Sequence, residues 1–198
     1  MAELFHPINL EIRRNIGPRI VNALLKSPER PLAIAMGTLE GVKARGMFTL
    51  YPRGDFPDFP AYRGYVNASL RGCRVPIFVG TASGPLYRRL ERWYNILDEV
   101  DNLTPEQFTC RYLLLDKLYL PEGKEEVRRQ FMPLWNVYLK GHGNNDLGIT
   151  HGAQERSRFD TVHPGRSGTR GRSRKETPRQ IELKITEHMH SHYPNIQR

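Results

Sequence analysis

A short arginine-rich segment is the part of this sequence best suited to chemistry. Arg88, Arg89 and Arg92 lie on a segment that Pro85 opens and that is predicted to be helical. The apolar residues at helical spacing in this segment are Leu86, Leu90, Trp93 and Leu97. They predict one buried stripe with the arginines at its sides. Guanidinium groups bind phosphate oxygens or guanine O6 and N7 in pairs, so the segment could bind nucleic acid; the alternative is a solvated helix face.

Two short apolar runs precede this helix and are predicted to form strands. Residues 47–51 are the first strand and residues 75–79 the second, with Gly80 closing it. Phe48 and Phe78 lie in these runs. A phenylalanine ring has no O–H group with which to orient water or carry a proton, so both rings are expected to be core residues.

The remaining periodic segments predict an α+β domain. Residues 108–115 are expected to form a third strand, and a helix around residues 124–132 is expected to stop at Pro133. Thr177 and Pro178 cap a last helix. The apolar positions of that helix are Ile181, Ile185 and Met189. This order predicts a small mixed or antiparallel sheet flanked by helices, with a basic C-terminal extension and a terminal helix.

Three stretches are predicted to be irregular. Residues 1–17 are expected to form an arm before a helix that starts at Pro18, and residues 52–74 a long loop rich in proline and glycine. Residues 134–136 are expected to lead outward from the core. The arginines of the long loop are Arg53, Arg63, Arg71 and Arg74. They either read guanine in a groove or are scattered surface charges.

Composition favours a polyanionic partner and excludes several classes of protein. The chain has 198 residues and a net charge of +9, carried by 23 arginines and 7 lysines. No apolar run approaches the length of a membrane helix, and Glu3 argues against a signal peptide. Two cysteines, Cys73 and Cys110, cannot form a disulfide framework. We therefore expect a soluble cytoplasmic protein that binds nucleic acid; the alternative is a soluble basic protein from an arginine-rich proteome.

Basic and histidine-rich stretches follow residue 141. Residues 154–175 contain seven basic side chains against two acidic ones, and either contact DNA phosphates or form a solubilising tail. The loop residues that could suggest a metal cluster are His142, Asp146 and His151. Their spacing fits no standard signature, so a polar loop near DNA is favoured. The C-terminal histidines are His188, His190 and His192. They are expected to lie in a solvated tail.

Several segments together resemble the GIY-YIG nucleases. Two strands, an arginine helix and a third strand come first, and Met-Pro-Leu-Trp-Asn follows at 132–136. Gly-His-Gly-Asn-Asn-Asp at 141–146, Ala-Gln to Phe-Asp across 153–160 and Val-His-Pro-Gly-Arg at 162–166 complete the pattern. In order and spacing these segments are similar to one restriction endonuclease branch, which contains type II enzymes that cut CCGCGG. The similarity covers residues 46–166.

The resemblance implies hydrolysis of a DNA phosphodiester with one divalent metal, Mg²⁺ in an active enzyme. The family positions that keep their residue type are Arg89, which would stabilise phosphoryl charge, and Asn136 near the site. The positions that change are Phe48 and Phe78 for two tyrosines, Thr81 for a lysine, Trp93 for a histidine, and Lys124 for the metal-binding glutamate. Glu125 or Glu126 is the alternative metal ligand.

We therefore expect a duplex-DNA-binding protein of the prokaryotic cytoplasm whose cleavage activity is weak or lost. The alternatives are an active metal-dependent type II endonuclease and a protein that binds an acidic partner. The expected DNA-contacting residues are Arg71, Arg74, Arg88, Arg92, His142, Asn144, Asn145, Arg156, Arg158, His163 and Arg166. The expected divisions are residues 1–45, the nuclease-fold domain 46–166 and the basic linker with its helix 167–198. A palindromic target, which the family implies, would need a homodimer or two encounters.

Overall fold

A four-stranded antiparallel sheet organises the fold. The computed structural model describes residues 10–70, 74–141, 156–167 and 174–192. The strands are β1 (Arg30–Pro31), β2 (Gly46–Pro52), β3 (Phe78–Ala82) and β4 (Phe108–Leu114). Their order across the sheet is β1-β4-β2-β3, and every pairing is antiparallel. The two long central strands, β2 and β4, therefore carry the shorter β1 and β3 at the edges.

Helices pack around this sheet. In chain order they are α1 (Leu10–Lys26), α2 (Leu32–Thr38), α3 (Arg63–Leu70), α4 (Leu86–Glu99), α5 (Leu120–Phe131), α6 (Leu134–Val137), α7 (Arg158–Val162) and α8 (Pro178–His192). Short 3-10 turns occupy Pro60–Tyr62, Pro105–Gln107 and Lys117–Tyr119. The predicted α+β class is confirmed. None of the helices in the described part of the chain combines the length and apolar character needed to cross a bilayer.

The strongly periodic segments fold as predicted. The predicted stripe of α4 is buried along its whole length, and Pro85 is the N-cap residue. In α8, Ile181, Ile185 and Met189 are buried in the main core. Thr177 and Gln180 exchange side-chain-to-backbone hydrogen bonds at its first turn, which satisfies two amide groups that the helix leaves without an internal acceptor.

The segment 52–74, predicted as a loop outside the core, contributes buried aromatic residues and a helix. Phe56, Phe59, Tyr62 and Tyr65 are each at most 2% exposed. Pro60 begins the 3-10 turn that leads into α3, so here a proline starts a helical segment instead of breaking one. The prediction was wrong because the proline and glycine content of this segment was taken as typical of a loop, and the aromatic residues between them were not recognised as core residues.

Several predicted boundaries were also wrong. Helix α1 begins at Leu10 and continues through Pro18, and Gly17 within it lies against Glu126 of α5. Strand β3 starts at Phe78, so Gly80 lies within it. Residues 134–136 do not lead outward. They lie in α6, where Leu134 and Trp135 are fully buried.

A buried chain of hydrogen bonds ties α6, α7 and the segment after β2 together. Trp135 Nε1 donates to Tyr62 Oη at 2.8 Å, Tyr62 Oη lies 2.7 Å from His163 Nε2, and His163 Nδ1 lies 2.8 Å from Asn102 Oδ1. Asn102 Nδ2 donates to the Val162 carbonyl, which fixes the amide orientation. His163 therefore donates from Nδ1 and accepts from Tyr62 at Nε2, as the neutral imidazole.

This arrangement predicts a loss of stability in acid. Burial lowers the pKa of His163 from 6.5 to about 3. Below about pH 6.5 the unfolded chain binds a proton that the folded chain rejects, so the free energy of unfolding falls as the pH falls towards 3. The slope from this group approaches about 1.4 kcal/mol per pH unit. Urea unfolding at pH 7 and pH 4.5 measures it.

The control for this prediction is His163→Gln, which keeps a donor and an acceptor but does not titrate. We expect the variant to lose less stability between the two pH values than the wild type does. Equal losses in the two proteins would show that His163 does not carry the acid sensitivity.

Candidate functional site

A cleft of about 180 Å³ lies among β2, β3, α4 and α5. Its lining residues are Phe48, Phe78, Gly80, Thr81, Arg89, Arg92, Trp93, Ile96 and Lys124. Strands β2 and β3 supply the floor, α4 supplies one wall and α5 supplies Lys124. The cleft thus brings together residues that are up to 76 positions apart, from Phe48 to Lys124.

The floor of the cleft is aromatic and tightly packed. Phe48 lies opposite Gly80 in the β2–β3 register, and its ring centroid is 5.7 Å from that of Phe78. A Cβ atom at Gly80 would lie 2.5 Å from the Phe48 ring, so a side chain at this position would collide with it. Phe48, Phe78 and Trp93 are 1%, 7% and 4% exposed. Rings so deeply buried close the base of the cleft and offer little surface on which a nucleobase could stack.

Positive charge defines the mouth of the cleft. Arg89 is exposed, Arg92 and Lys124 are half-buried, and all three line the cleft. Burial lowers the pKa of Arg92, and the positive charges of Arg89 and Arg166 lower it further. Arginine nonetheless stays protonated at neutral pH, so like charges are held close together. An anion in the cleft would relieve this repulsion.

No carboxylate is present among the described residues that line the cleft. Glu125, the first predicted alternative metal ligand, pairs with Arg128 at 2.9 Å. Glu126, the second, pairs with Arg129 at 2.5 Å and accepts from Gln130 Nε2 at 2.6 Å. Neither glutamate therefore lines the cleft in which a metal would have to bind. The α5 residue that lines it is Lys124.

Asn136 is engaged with the edge of the sheet instead of the cleft. Its Oδ1 accepts from the Val79 amide at 2.7 Å, and its Nδ2 donates to the Val79 carbonyl at 2.9 Å. The Trp135 amide donates to the Ile77 carbonyl beside it. Asn136, which the family resemblance places near the catalytic site, thus caps the outer edge of β3, where a neighbouring strand would otherwise pair.

Asn136→Ala is expected to destabilise the fold by about 1–3 kcal/mol, because the Val79 peptide loses both its partners. Chemical denaturation measures the change. Asn95→Ala, at an exposed position of α4, is the matched control and is expected to stay within about 0.5 kcal/mol of the wild type. A stable Asn136→Ala protein would show that the amide does not hold the edge strand.

Several predicted DNA-contacting residues have structural partners instead. Arg74 pairs with Glu29, and Arg166 Nη1 donates to Asp160 Oδ1 at 2.8 Å. His163 is fully buried in the hydrogen-bond chain described above, so its side chain is not available for the predicted DNA contact. Arg88 and Arg92 lie beside Arg89 on α4, as predicted.

A salt-bridge cluster around Glu176 accounts for part of the basic C-terminal stretch. Arg158 Nε lies 2.7 Å from the Glu176 carboxylate, Arg174 Nη2 2.7 Å and Lys184 Nζ 2.9 Å. The hydrogen bond from Arg158 and then that from Lys184 are the main causes that hold the Glu176 pKa well below its usual range. Arg158 also lies over the Tyr138 ring, 4.3 Å from its centroid. These cations join α7 to α8, a role that the sequence prediction missed.

Of the other predicted residues, some lie inside and some outside the described ranges. Arg156 is half-buried next to α7, and its carbonyl accepts from Arg174 Nη1 at 3.1 Å. The predicted residues that lie outside the described ranges are Arg71, His142, Asn144 and Asn145, together with Asp146 and His151 of the candidate metal cluster. Within the described ranges, no group of three or more histidine, cysteine, aspartate or glutamate side chains is arranged to hold a metal.

The comparison with family models agrees with this geometry. A model described as the Eco29kI GIY-YIG domain matches residues 81–189, more than half of the chain, and the α+β fold is consistent with such a domain. The chain belongs to this family of type II restriction endonucleases. The predicted resemblance is thereby confirmed. A comparison with curated proteins finds no match.

The family to which this chain belongs has a DNA-related nuclease function. It also implies a divalent metal ion. The residues present do not fit one, because the described lining of the cleft contains three cations and no oxygen-rich acidic ligand. Aspartate and glutamate oxygens are the ligands that Mg²⁺ takes from proteins, and ammonium and guanidinium groups repel it.

Proposed function

We propose that this protein binds duplex DNA and cleaves it weakly or not at all. One observation carries the proposal: the cleft between β3 and α4 contains Arg89, Arg92 and Lys124 over a floor of phenylalanine and tryptophan. These groups can hold a phosphate. They cannot carry out the proton transfer or the metal coordination that hydrolysis in this family requires.

The binding half of the proposal follows from charge and position. A phosphodiester is a compact anion, and guanidinium groups contact its oxygens in pairs. Arg88 and Arg89 are both exposed on α4, so the positive surface continues from the cleft onto the helix. With a net charge of +9, the chain as a whole attracts a polyanion.

The catalytic half follows from what each changed side chain lacks. Phe48 and Phe78 have no hydroxyl, Trp93 is packed into the core, and Lys124 brings an ammonium to the cleft where the family resemblance implies a carboxylate. Removing one group that stabilises a transition state typically lowers the rate about 10²- to 10³-fold. Several such losses in a single cleft would leave cleavage close to background.

The competing function is an active metal-dependent endonuclease, which membership of the family favours. It requires a carboxylate in the cleft. Either Glu125 or Glu126 would have to leave its arginine partner and turn towards the cleft, since a one-residue step rotates a side chain by about 100° around a helix.

Binding is tested with a fluorescently labelled duplex of mixed sequence, titrated at several salt concentrations. The backbone phosphate held in the cleft predicts that log K falls with log[salt] with a slope of about −0.9 or steeper. Polyglutamate of similar length is the control for a generic acidic partner, and is expected to compete poorly. A flat salt dependence, or equal competition by polyglutamate, would contradict the proposal.

A further inference from the structure

The position of Lys124 distinguishes this cleft from a metal site. Lys124 is the α5 residue that lines the cleft, while Glu125 and Glu126 face their arginine partners on other sides of the helix. Val127, further along the same helix, is 1% exposed and packs in the core that β2, β3 and α1 share. The helix is therefore fixed in rotation, and Lys124 is held at the cleft by the packing of its neighbours.

The three cations approach the cleft from two elements. Arg89 and Arg92 come from α4, and Lys124 comes from α5 across the β3 floor. A divalent ion entering this space would meet like charge on both walls. A phosphodiester oxygen entering it would meet a guanidinium on one side and an ammonium on the other.

We propose that Lys124 supplies a permanent positive charge at the place where a metal would otherwise act, so that the cleft binds a DNA backbone phosphate without any divalent ion. This inference rests on the proposed function, since it assigns how the same cleft holds its ligand. The three cations that line the cleft and the deep burial of its aromatic rings favour a phosphate group over a nucleobase. The ligand class is therefore the phosphodiester backbone of duplex DNA.

The first test needs no variant. The affinity of the wild-type protein for a labelled duplex is measured in EDTA and in Mg²⁺, with NaCl adjusted so that ionic strength is equal. We expect the two dissociation constants to agree within about twofold. A loss of tenfold or more in EDTA would overturn the inference while leaving duplex binding itself intact. Absence of binding under both conditions would instead contradict the proposed function.

The second test isolates Lys124 from the overall charge of the protein. Lys124→Glu and Lys117→Glu make the same change in net charge, but Lys117 is exposed and does not line the cleft. In EDTA we expect Lys124→Glu to weaken duplex binding about 100-fold and Lys117→Glu less than about fivefold. Equal effects of the two substitutions would overturn the inference.

Two further variants distinguish the loss of the Lys124 charge from misfolding of the protein. Lys124→Gln removes the charge with little change in size, and Lys124→Arg keeps the charge on a different group. We expect Lys124→Arg to bind within about threefold of the wild type in EDTA, and Lys124→Gln to bind at least about tenfold more weakly. If Lys124→Gln binds as tightly as Lys124→Arg, the charge at this position does not contribute to the phosphate contact. Thermal melting of each variant establishes that it is folded.

Discussion

Replacing Arg89 and Arg92 together with alanine is expected to weaken duplex binding about 100-fold, because each loses a charge-assisted contact of about 1.5 kcal/mol. Both side chains line the cleft from α4, one turn apart on the helix. The slope of log K against log[salt] is expected to become less steep by about 0.9, since the phosphate held in the cleft is no longer neutralised. Titration of a labelled duplex at four salt concentrations measures both quantities.

The matched control removes the same charge elsewhere. Arg19 on α1 and Arg179 on α8 are exposed and do not line the cleft. The double variant Arg19→Ala/Arg179→Ala is expected to weaken binding less than about fivefold, through long-range attraction alone. If it weakened binding as much as the cleft variant does, the protein would hold DNA by its net charge and the cleft would have no special part.

Trp93→Ala is expected to lower the free energy of unfolding by about 3–5 kcal/mol. Trp93 is 4% exposed, and its ring lies 5.1 Å from the Trp135 ring at an interplanar angle of 11° and 4.4 Å from the Phe78 ring. Removing the indole would leave a cavity between the cleft and the core and would break the stack on Trp135. Urea denaturation monitored by circular dichroism measures the change.

The control is Asn95→Ala, two residues along the same helix at an exposed position. It is expected to change stability by less than about 0.5 kcal/mol. A Trp93→Ala protein as stable as this control would show that the indole is not part of the core. The expected result has a functional consequence: the position at which the family resemblance implies a histidine holds a residue that the fold needs for packing. Trp93→His alone is therefore expected to destabilise the protein without restoring cleavage.

The parts of the fold that were predictable from sequence are those in which local pattern and tertiary packing agree. The apolar spacing of α4 and α8 predicted both helices and their buried faces, because an amphipathic helix must bury one stripe. Strand β4 was predicted to within one residue of its end. In each case one periodicity explains both the element and its packing.

The parts that were not predictable depend on contacts between distant residues. Pro18 argued for a helix start, yet α1 extends through it, and Gly17 beside it lies against α5. Residues 52–74 have the composition of a loop, but Phe56 and Tyr62 pack edge-to-face at 5.6 Å in the core. No local pattern shows that these aromatic residues find partners on β4 and α6.

The residues of the candidate site were likewise predictable only in part. The family pattern predicted Phe48, Phe78, Arg89 and Lys124, and the fold brings all four to one cleft. The family pattern could not predict that His163 would be hydrogen-bonded to Tyr62, 101 residues away. Nothing in a short motif distinguishes a buried histidine from one that contacts DNA. Tyr62 and Asn102, which complete that hydrogen-bond chain, carried no local signal.

The most direct test of DNA binding without cleavage is a single incubation of supercoiled plasmid with excess protein and Mg²⁺ or Mn²⁺, analysed before and after the protein is removed. We expect the plasmid to be retarded on the gel while protein is present and to return to the supercoiled band once the protein is removed. Nicked or linear plasmid after removal of the protein, abolished by Arg89→Ala, would contradict this expectation.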